Sequence, residues 1–484
     1  MKRVSDIITP QEIVEWKSGD KILTTAGTGK GKSYLVKNIL FNYADDGENK
    51  ILFLVNRLPL KEQIQHELKE SGKENVIIVQ TYQKLEADIL AGEADVSGYK
   101  YIICDEAHYF FSDATFNHRT NLGLNYIKSI KGSIVIFMSA TPTMLKSYFK
   151  IKDSLVYELK NDYEYIKNIY VYSSRQAICQ RLNSIPKGEK AIYFGSAKNA
   201  YEISLEVNEA KFVCSKSNEL YSRLSSKEEL VNIQEKSKFS CRVLCSTTAL
   251  DNGINILDPE VKHIVVDLLD IETIIQCIGR KRVENANDQI TLYIANKDYR
   301  QINIVVEKKK KALEQPIYLR DYGEQCFREK YFKCGYDKNL IDITKDEILI
   351  NEAGAWKYAR IVGDFGRVLV ERTPWYKYVL KEMGIPKRTI LFLEQEMDST
   401  TLIDYLSGIK GIKIFKEQKE EIKSFILKSA LGKIQKNQKK LGLNSINAIL
   451  KDLKLPYQFI SKKESQGEHR GKNYWILVEG CSNK

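Results

Sequence analysis

Between Ala26 and Ser33 the chain reads Ala-Gly-Thr-Gly-Lys-Gly-Lys-Ser. This is the phosphate-loop pattern with Ala26 in place of the first glycine. Glycines let a backbone curl until successive N–H groups converge on phosphate oxygens, which no bulkier residue permits as easily. Gly27, Thr28, Gly29, Lys30 and Gly31 would form that cradle. A helix starting near Ser33 adds the positive end of its dipole. Lys32 would reach the β- and γ-phosphates of a nucleoside triphosphate such as ATP, and the Ser33 hydroxyl would ligate Mg²⁺.

A second constellation lies at "YIICDEAHYF", where an apolar run ends in two acids. Parallel sheets bind ligands at the carboxyl ends of their strands, so both acids would face the phosphate loop. Asp105 is the candidate for holding Mg²⁺, a hard cation suited to oxygen ligands and triphosphates. Glu106 is the candidate for positioning or deprotonating an attacking water. His108 would relay the nucleotide state to neighbouring elements.

These residues need strands behind them, and the sequence supplies two sets. Short apolar β-rich runs occur at 21–25, 51–55, 76–80, 101–104 and 133–138, and again at 190–194, 211–214, 242–246, 263–269 and 289–295. Continuous apolar strands alternating with helix-like stretches predict parallel sheets covered by helices on both faces. The fold class expected is therefore α/β, with two such domains in tandem. After the charged stretch at 305–316 helical patterns dominate, as in the run at 416–442.

Composition agrees with that frame. The 484 residues suit two or three domains, with 43% hydrophobic and 29% charged residues as in ordinary globular chains. No apolar run is long enough for a membrane span and no secretory signal opens the chain, so a cytoplasmic location and no membrane partner are expected. Nine cysteines and five histidines are scattered without zinc-ligand spacing and read as core or isolated residues. The net charge of +12 suits a phosphate-bearing partner but equally suits a lysine-rich surface.

Asp105-Glu106-Ala107-His108 resembles the box that names the DEAH-type superfamily-2 helicases, and the resemblance extends over about residues 10–300. It implies two RecA-like domains, 1–150 and 165–300, and several further roles. Ser139 and Thr141, in Ser-Ala-Thr, would couple hydrolysis to movement. Arg57 and Thr81 would contact the nucleic-acid backbone. The segment 246–256 is similar to the family's fifth motif, where Thr247 or Thr248 would touch phosphates and Gly253 and Asn255 would lie at the inter-domain nucleotide site. The run from Gln276 to Arg282 resembles the sixth motif, with Arg280 on the first arginine-finger position. Val283 stands where the second finger is usual, and Arg282 is the candidate to replace it. That ending is similar to helicases of viruses and mobile elements related to origin-binding proteins. Pro10-Gln11 reads either as an adenine-reading glutamine or as the start of a surface helix.

Residues 317–484 read as an accessory, mostly helical region. Near its end a helix capped by Asn444 or Ser445 precedes a hairpin. Tyr457, Phe459, Tyr474 and Trp475 lie in its strands, with Lys462, Lys463, Arg470 and Lys472 near its turn. This is either a winged-helix-like DNA-binding module or a solvated hairpin over a small aromatic core. The function expected is an ATP-dependent helicase or translocase on DNA, working with replication or mobile-element proteins. An RNA helicase, or an ATP-switched binding module that does not unwind, are the alternatives.

Overall fold

A computed structural model gives the fold and describes residues 3–479 apart from 28–29, 45–48, 116, 118, 160–162, 216–217, 249–254, 284–287, 345–346, 386–387, 416–417, 421, 424–425, 427–441, 454 and 467–468. The first sheet contains β1 (Lys21–Ala26), β2 (Lys50–Val55), β3 (Ile77–Thr81), β4 (Tyr99–Cys104), β5 (Ile134–Ser139) and β6 (Val156–Leu159). Their order is β3-β2-β4-β5-β1-β6 and every pairing is parallel.

Parallel pairing forces crossovers, and crossover helices bury both faces of the sheet. The side-chain period of two then needs apolar residues at every position, which explains the unbroken runs. On β2, Ile51, Phe53 and Val55 enter one core while Leu52 and Leu54 enter the other. On β4 the same division separates Tyr101 and Ile103 from Ile102 and Cys104.

The second sheet repeats this logic with β7 (Ile166–Tyr172), β8 (Lys190–Phe194), β9 (Ala210–Val213), β10 (Val243–Ser246), β11 (Val261–Val266) and β12 (Ile290–Ala295). Here Ile192, Phe194, Ile264 and Val266 face one side, and Ala191, Tyr193, Cys245 and Val265 the other. The chain thus holds two RecA-like parallel-sheet domains.

Beyond β12 a helix, Tyr299–Cys334, kinks at Gly323 (φ 78). The hairpin of β13 (Ile341–Ile343) and β14 (Ile348–Ile350) leads to the helix Glu352–Val370, then to the helix Trp375–Glu382 and β15 (Ile390–Phe392). β15 pairs with β7 and becomes the seventh strand of the second sheet. Trp375 is fully buried in that domain's core, edge-on to Phe365. The early part of the helical region is therefore built into the second domain.

The end of the chain has its own small core. The helix Leu443–Asp452 packs Ile446 and Leu450 against Phe459, Trp475 and Leu477 of the hairpin β16 (Tyr457–Lys463) and β17 (Asn473–Glu479). Asn447 ties helix to strand by accepting from Phe459 N at 2.8 Å and donating to its carbonyl at 2.9 Å. A helix laid on a two-stranded wing is consistent with a winged-helix-like module. The N-cap is Gly442 and not Asn444 or Ser445, which lie inside the first turn. Most of the helical run expected at 416–442 lies outside the described residues. Among the described residues, no helix is long and apolar enough to cross a membrane.

Candidate active site

Sheet order places the chemistry. β1, β5 and β4 are adjacent, so the loop after Ala26, the Ser139–Thr141 segment and Asp105 all issue from neighbouring carboxyl ends. Gly31 caps the helical stretch that begins at Lys32 and has φ +88. A Cβ there would meet nothing nearer than Arg3 Cβ at 3.6 Å. The left-handed backbone, not lack of space, makes glycine necessary. The stretch continues as a π turn, Leu35–Ile39, an irregularity common at functional sites. Val4 N donates to the Lys30 carbonyl at 2.9 Å and pins the loop from outside. Thr28 and Gly29 lie outside the described residues; Gly27 follows β1 directly, and the Ser33 side chain is exposed.

Lys32 is buried, and its Nζ donates to the Ala26 carbonyl at 3.3 Å and to Glu106 Oε1 at 3.4 Å. Both contacts are long for a charged donor, so the ammonium is only loosely held by protein. Glu106 itself has φ +45, a left-handed conformation that costs a non-glycine residue roughly 1–3 kcal/mol. Its other oxygen, Oε2, lies 3.4 Å from His108 Nδ1. The same nitrogen meets Ser139 Oγ at 3.4 Å, and Ser139 Oγ accepts from Thr141 N at 3.0 Å. An unbroken polar chain therefore runs Lys32–Glu106–His108–Ser139–Thr141.

Burial drives the electrostatics of this chain. Burial and then the neighbouring Glu106 push the Asp105 carboxyl up to about 6, against the pull of Lys32. Burial also raises Glu106, but Lys32, His108 and Arg280 outweigh it and bring that carboxyl down to about 2. Burial lowers His108 to about 4 despite Glu106, so its ring is neutral near pH 7.

Arg280 reaches this group from the second domain. It follows the helix Ile271–Gly279, capped by Asp270, whose side chain accepts from Thr273 N. Residues 280–282 then form a short bridge with Ile256: Ile256 N donates to Arg280 O at 2.8 Å and Arg282 N to Ile256 O at 3.0 Å. Lys281 points into the domain and pairs with buried Asp288. Arg280 and Arg282, on either side of it, both act electrostatically on or with Glu106 across the seam. Burial, then Arg280, lowers Arg282 to about 10. Arg282 also donates to Asn255 Oδ1; Gly253 lies outside the described residues. Gln276 sits half-buried on the same helix.

Lys281 carries a prediction of its own. Lys281→Met leaves Asp288 with Lys262 alone, at 3.0 Å. Breaking a buried pair costs about 3–5 kcal/mol; the remaining partner puts the loss near the lower end. Denaturant titration should show it as a fall in midpoint at unchanged slope, and an unchanged midpoint would contradict the anchor.

The four residues expected at nucleic acid also end strands. Arg57 follows β2, Thr81 ends β3, and Thr247 and Thr248 follow β10. The Thr81 hydroxyl is engaged as a helix cap, accepting from Lys84 N at 3.2 Å. Sequence reasoning missed Tyr82 beside it. The buried Tyr82 donates to the Asp105 carbonyl at 2.8 Å and stacks on Tyr109 at 4.7 Å, linking the end of β3 to the acidic box. Gln11 sits exposed on a surface helix with Glu15 as its partner.

Among the described residues no group of three or more His, Cys, Asp or Glu could hold a metal. One buried carboxylate and one hydroxyl are nonetheless the oxygen donors that suit Mg²⁺, which takes its remaining ligands from water and phosphate.

Residues 3–144 match the family described as Type III restriction enzyme, res subunit, and residues 173–282 match the helicase conserved C-terminal domain. No curated protein matches the chain. Among solved structures it is similar to S. cerevisiae Dbp5 bound to RNA and ADP BeF3, at 17% identity, covering 60% of this chain and 82% of that one, with a TM-score of 0.42. It is also similar to the Pyrococcus furiosus Hef helicase domain, at 15% identity, covering 64% of this chain and 100% of that one, with a TM-score of 0.35. A third is the helicase MrfA bound to DNA and AMPPNP, at 15% identity, covering 70% and 58%, with a TM-score of 0.42.

Proposed function

From the premise that this chain carries a superfamily-2 helicase core, an ATP-dependent enzyme stimulated by nucleic acid, we propose that it moves along or unwinds DNA. Lys32 and Ser33 with Gly27–Gly31 would hold the triphosphate, and Asp105 with Ser33 would hold Mg²⁺, which would shield phosphate charge. Glu106 orients and deprotonates the attacking water. Arg280, seconded by Arg282, stabilises charge as the terminal phosphate leaves. The carrying observation is that Lys32 Nζ lies 3.4 Å from Glu106 Oε1 in one domain while Arg280 approaches the same carboxylate from the other closely enough to help lower it. Hydrolysis removes the anion that draws the domains together, so the cleft opens and shuts each cycle. His108, Ser139 and Thr141 carry that change away from the nucleotide, and Arg57, Thr81, Thr247 and Thr248 grip the backbone. We read 1–150 and 165–300 as the two motor domains, the second completed by the stretch that ends in β15, and the rest of 317–484 as a loading region. The mobile-element, replication and cytoplasmic assignments belong to this reading too.

The basis for DNA is the terminal module. Phe459, Trp475 and Leu477 build its core, which leaves Lys462, Lys463, Arg470 and Lys472 exposed around the hairpin turn. Exposed cations beside a helix-and-wing are the arrangement that positions a duplex by its phosphates. Removing all four charges should lower DNA affinity and flatten its dependence on salt by up to about four ions, while basal ATPase persists. Unaltered affinity and slope would remove the module from the DNA path. Phosphate release measured with single-stranded DNA, duplex DNA and RNA in parallel tests the substrate. Stronger stimulation by RNA would favour the RNA-helicase reading, and ATP-dependent binding without strand displacement would favour a switch.

A further inference from the structure

The helix Glu352–Val370 touches both motor domains at once. Its cap, Asn351, is buried and donates to the Ala114 carbonyl of the first domain at 2.6 Å. Ala353 lies in a first-domain core, and Glu352 meets Tyr148 Oη at 3.4 Å. At the other end Phe365 and Val368 lie in the second-domain core with Trp375 and Val379.

Between these anchors two cations point at the machinery. Lys357 Nζ donates to the Ser112 carbonyl at 3.2 Å and stands 3.9 Å from Asp270 Oδ2. Ser112 closes the short helix Tyr109–Ser112, whose N-cap is His108. Asp270 caps the helix that ends at Arg280. Arg360 then holds Glu272, in the first turn of that same helix, at 2.8 Å and is itself held by Asp364 at 3.1 Å. Arg360 and Glu272 are both largely buried. The helix Ile271–Gly279 is a rod of about 13 Å at 1.5 Å per residue, so a shift at Asp270 or Glu272 arrives at Arg280 with little loss.

We infer that Lys357 and Arg360 are positioning residues for the arginine finger. Lys357 clamps the start of the finger helix to the helix that leaves the acidic box, and Arg360 ties that start to the accessory helix. The accessory helix thereby sets the distance between Arg280 and Glu106. The inference rests on the nucleotide reading of that seam.

The test measures DNA-stimulated ATP turnover in full-length Arg360→Met, Glu272→Met, their double variant and Lys357→Gln, with Lys32→Ala as control. Each single variant should lose about tenfold or more in kcat, while KM for ATP changes less than threefold. The double variant should lose no more than the worse single, because both remove one contact. Arg360→Lys should restore part of the loss. Wild-type kcat in Arg360→Met and Lys357→Gln, or losses that multiply in the double variant, would overturn the clamp while leaving the ATPase intact. Should Arg360→Met fail to fold, Lys357→Gln decides alone by the same split. Full turnover in Lys32→Ala would instead remove the nucleotide reading itself.

Discussion

Glu106→Gln should bind ATP and nucleic acid, fold normally, and hydrolyse ATP at least about a thousandfold more slowly than the native chain, within the range for losing a general base. The argument starts from charge. Glu106 stays ionised because Lys32 and Arg280 oppose the cost of burying it, so near pH 7 it is ready to accept a proton from water. Glutamine keeps the shape and loses that capacity. It also removes the negative charge that Lys32 faces at 3.4 Å, which frees the ammonium for phosphate, so nucleotide affinity should hold or rise. Lys32→Ala should fail differently, losing affinity and turnover together. Steady-state phosphate release and nucleotide binding separate the two outcomes. Native turnover in a folded Glu106→Gln protein would show that the water is activated elsewhere.

The nucleotide half of this site was legible because its signals are local. A phosphate loop must follow a strand, and the acids must end one, so short windows around Ala26 and Cys104 contain the reasons for both. Even so, the left-handed backbone of Glu106 has no local signature: glutamate ordinarily avoids it, and only packing around the box imposes it. The fingers were half legible. Arg280 was expected from motif order, but the placement of Arg280 and Arg282 depends on the bridge to Ile256 and on Lys281 being drawn to Asp288. The last third was the hardest to read. β15 is three residues long and pairs with β7, more than two hundred positions earlier in the chain, and so short a strand carries no sign of its partner. Nor does the helical period of Glu352–Val370 say that one end serves each domain.

Arg280→Ala should reduce DNA-stimulated turnover about a thousandfold or more, the usual worth of an arginine finger, with a much smaller change in KM for ATP. Arg280 Nε and one Arg282 guanidinium nitrogen are buried and have no hydrogen-bond partner among the described residues. A buried donor left unmatched costs about 1–3 kcal/mol, and burial, then the neighbouring Arg280, lowers Arg282. The seam is thus unfavourable as a purely protein contact. An anion lying between Lys32 and Arg280 would satisfy both, most strongly when charge builds on a departing phosphoryl group, which is when a finger lowers a barrier. The same reasoning fixes the sign of a second measurement. Without nucleotide, Arg280→Ala should be no less stable than the native chain and up to about 1 kcal/mol more so, because an unmatched donor has gone. Arg280→Lys keeps the charge but not the planar fork and should recover only a small part of the rate. A variant that lost stability yet kept its turnover would make Arg280 a structural residue of the second domain, with no part in hydrolysis.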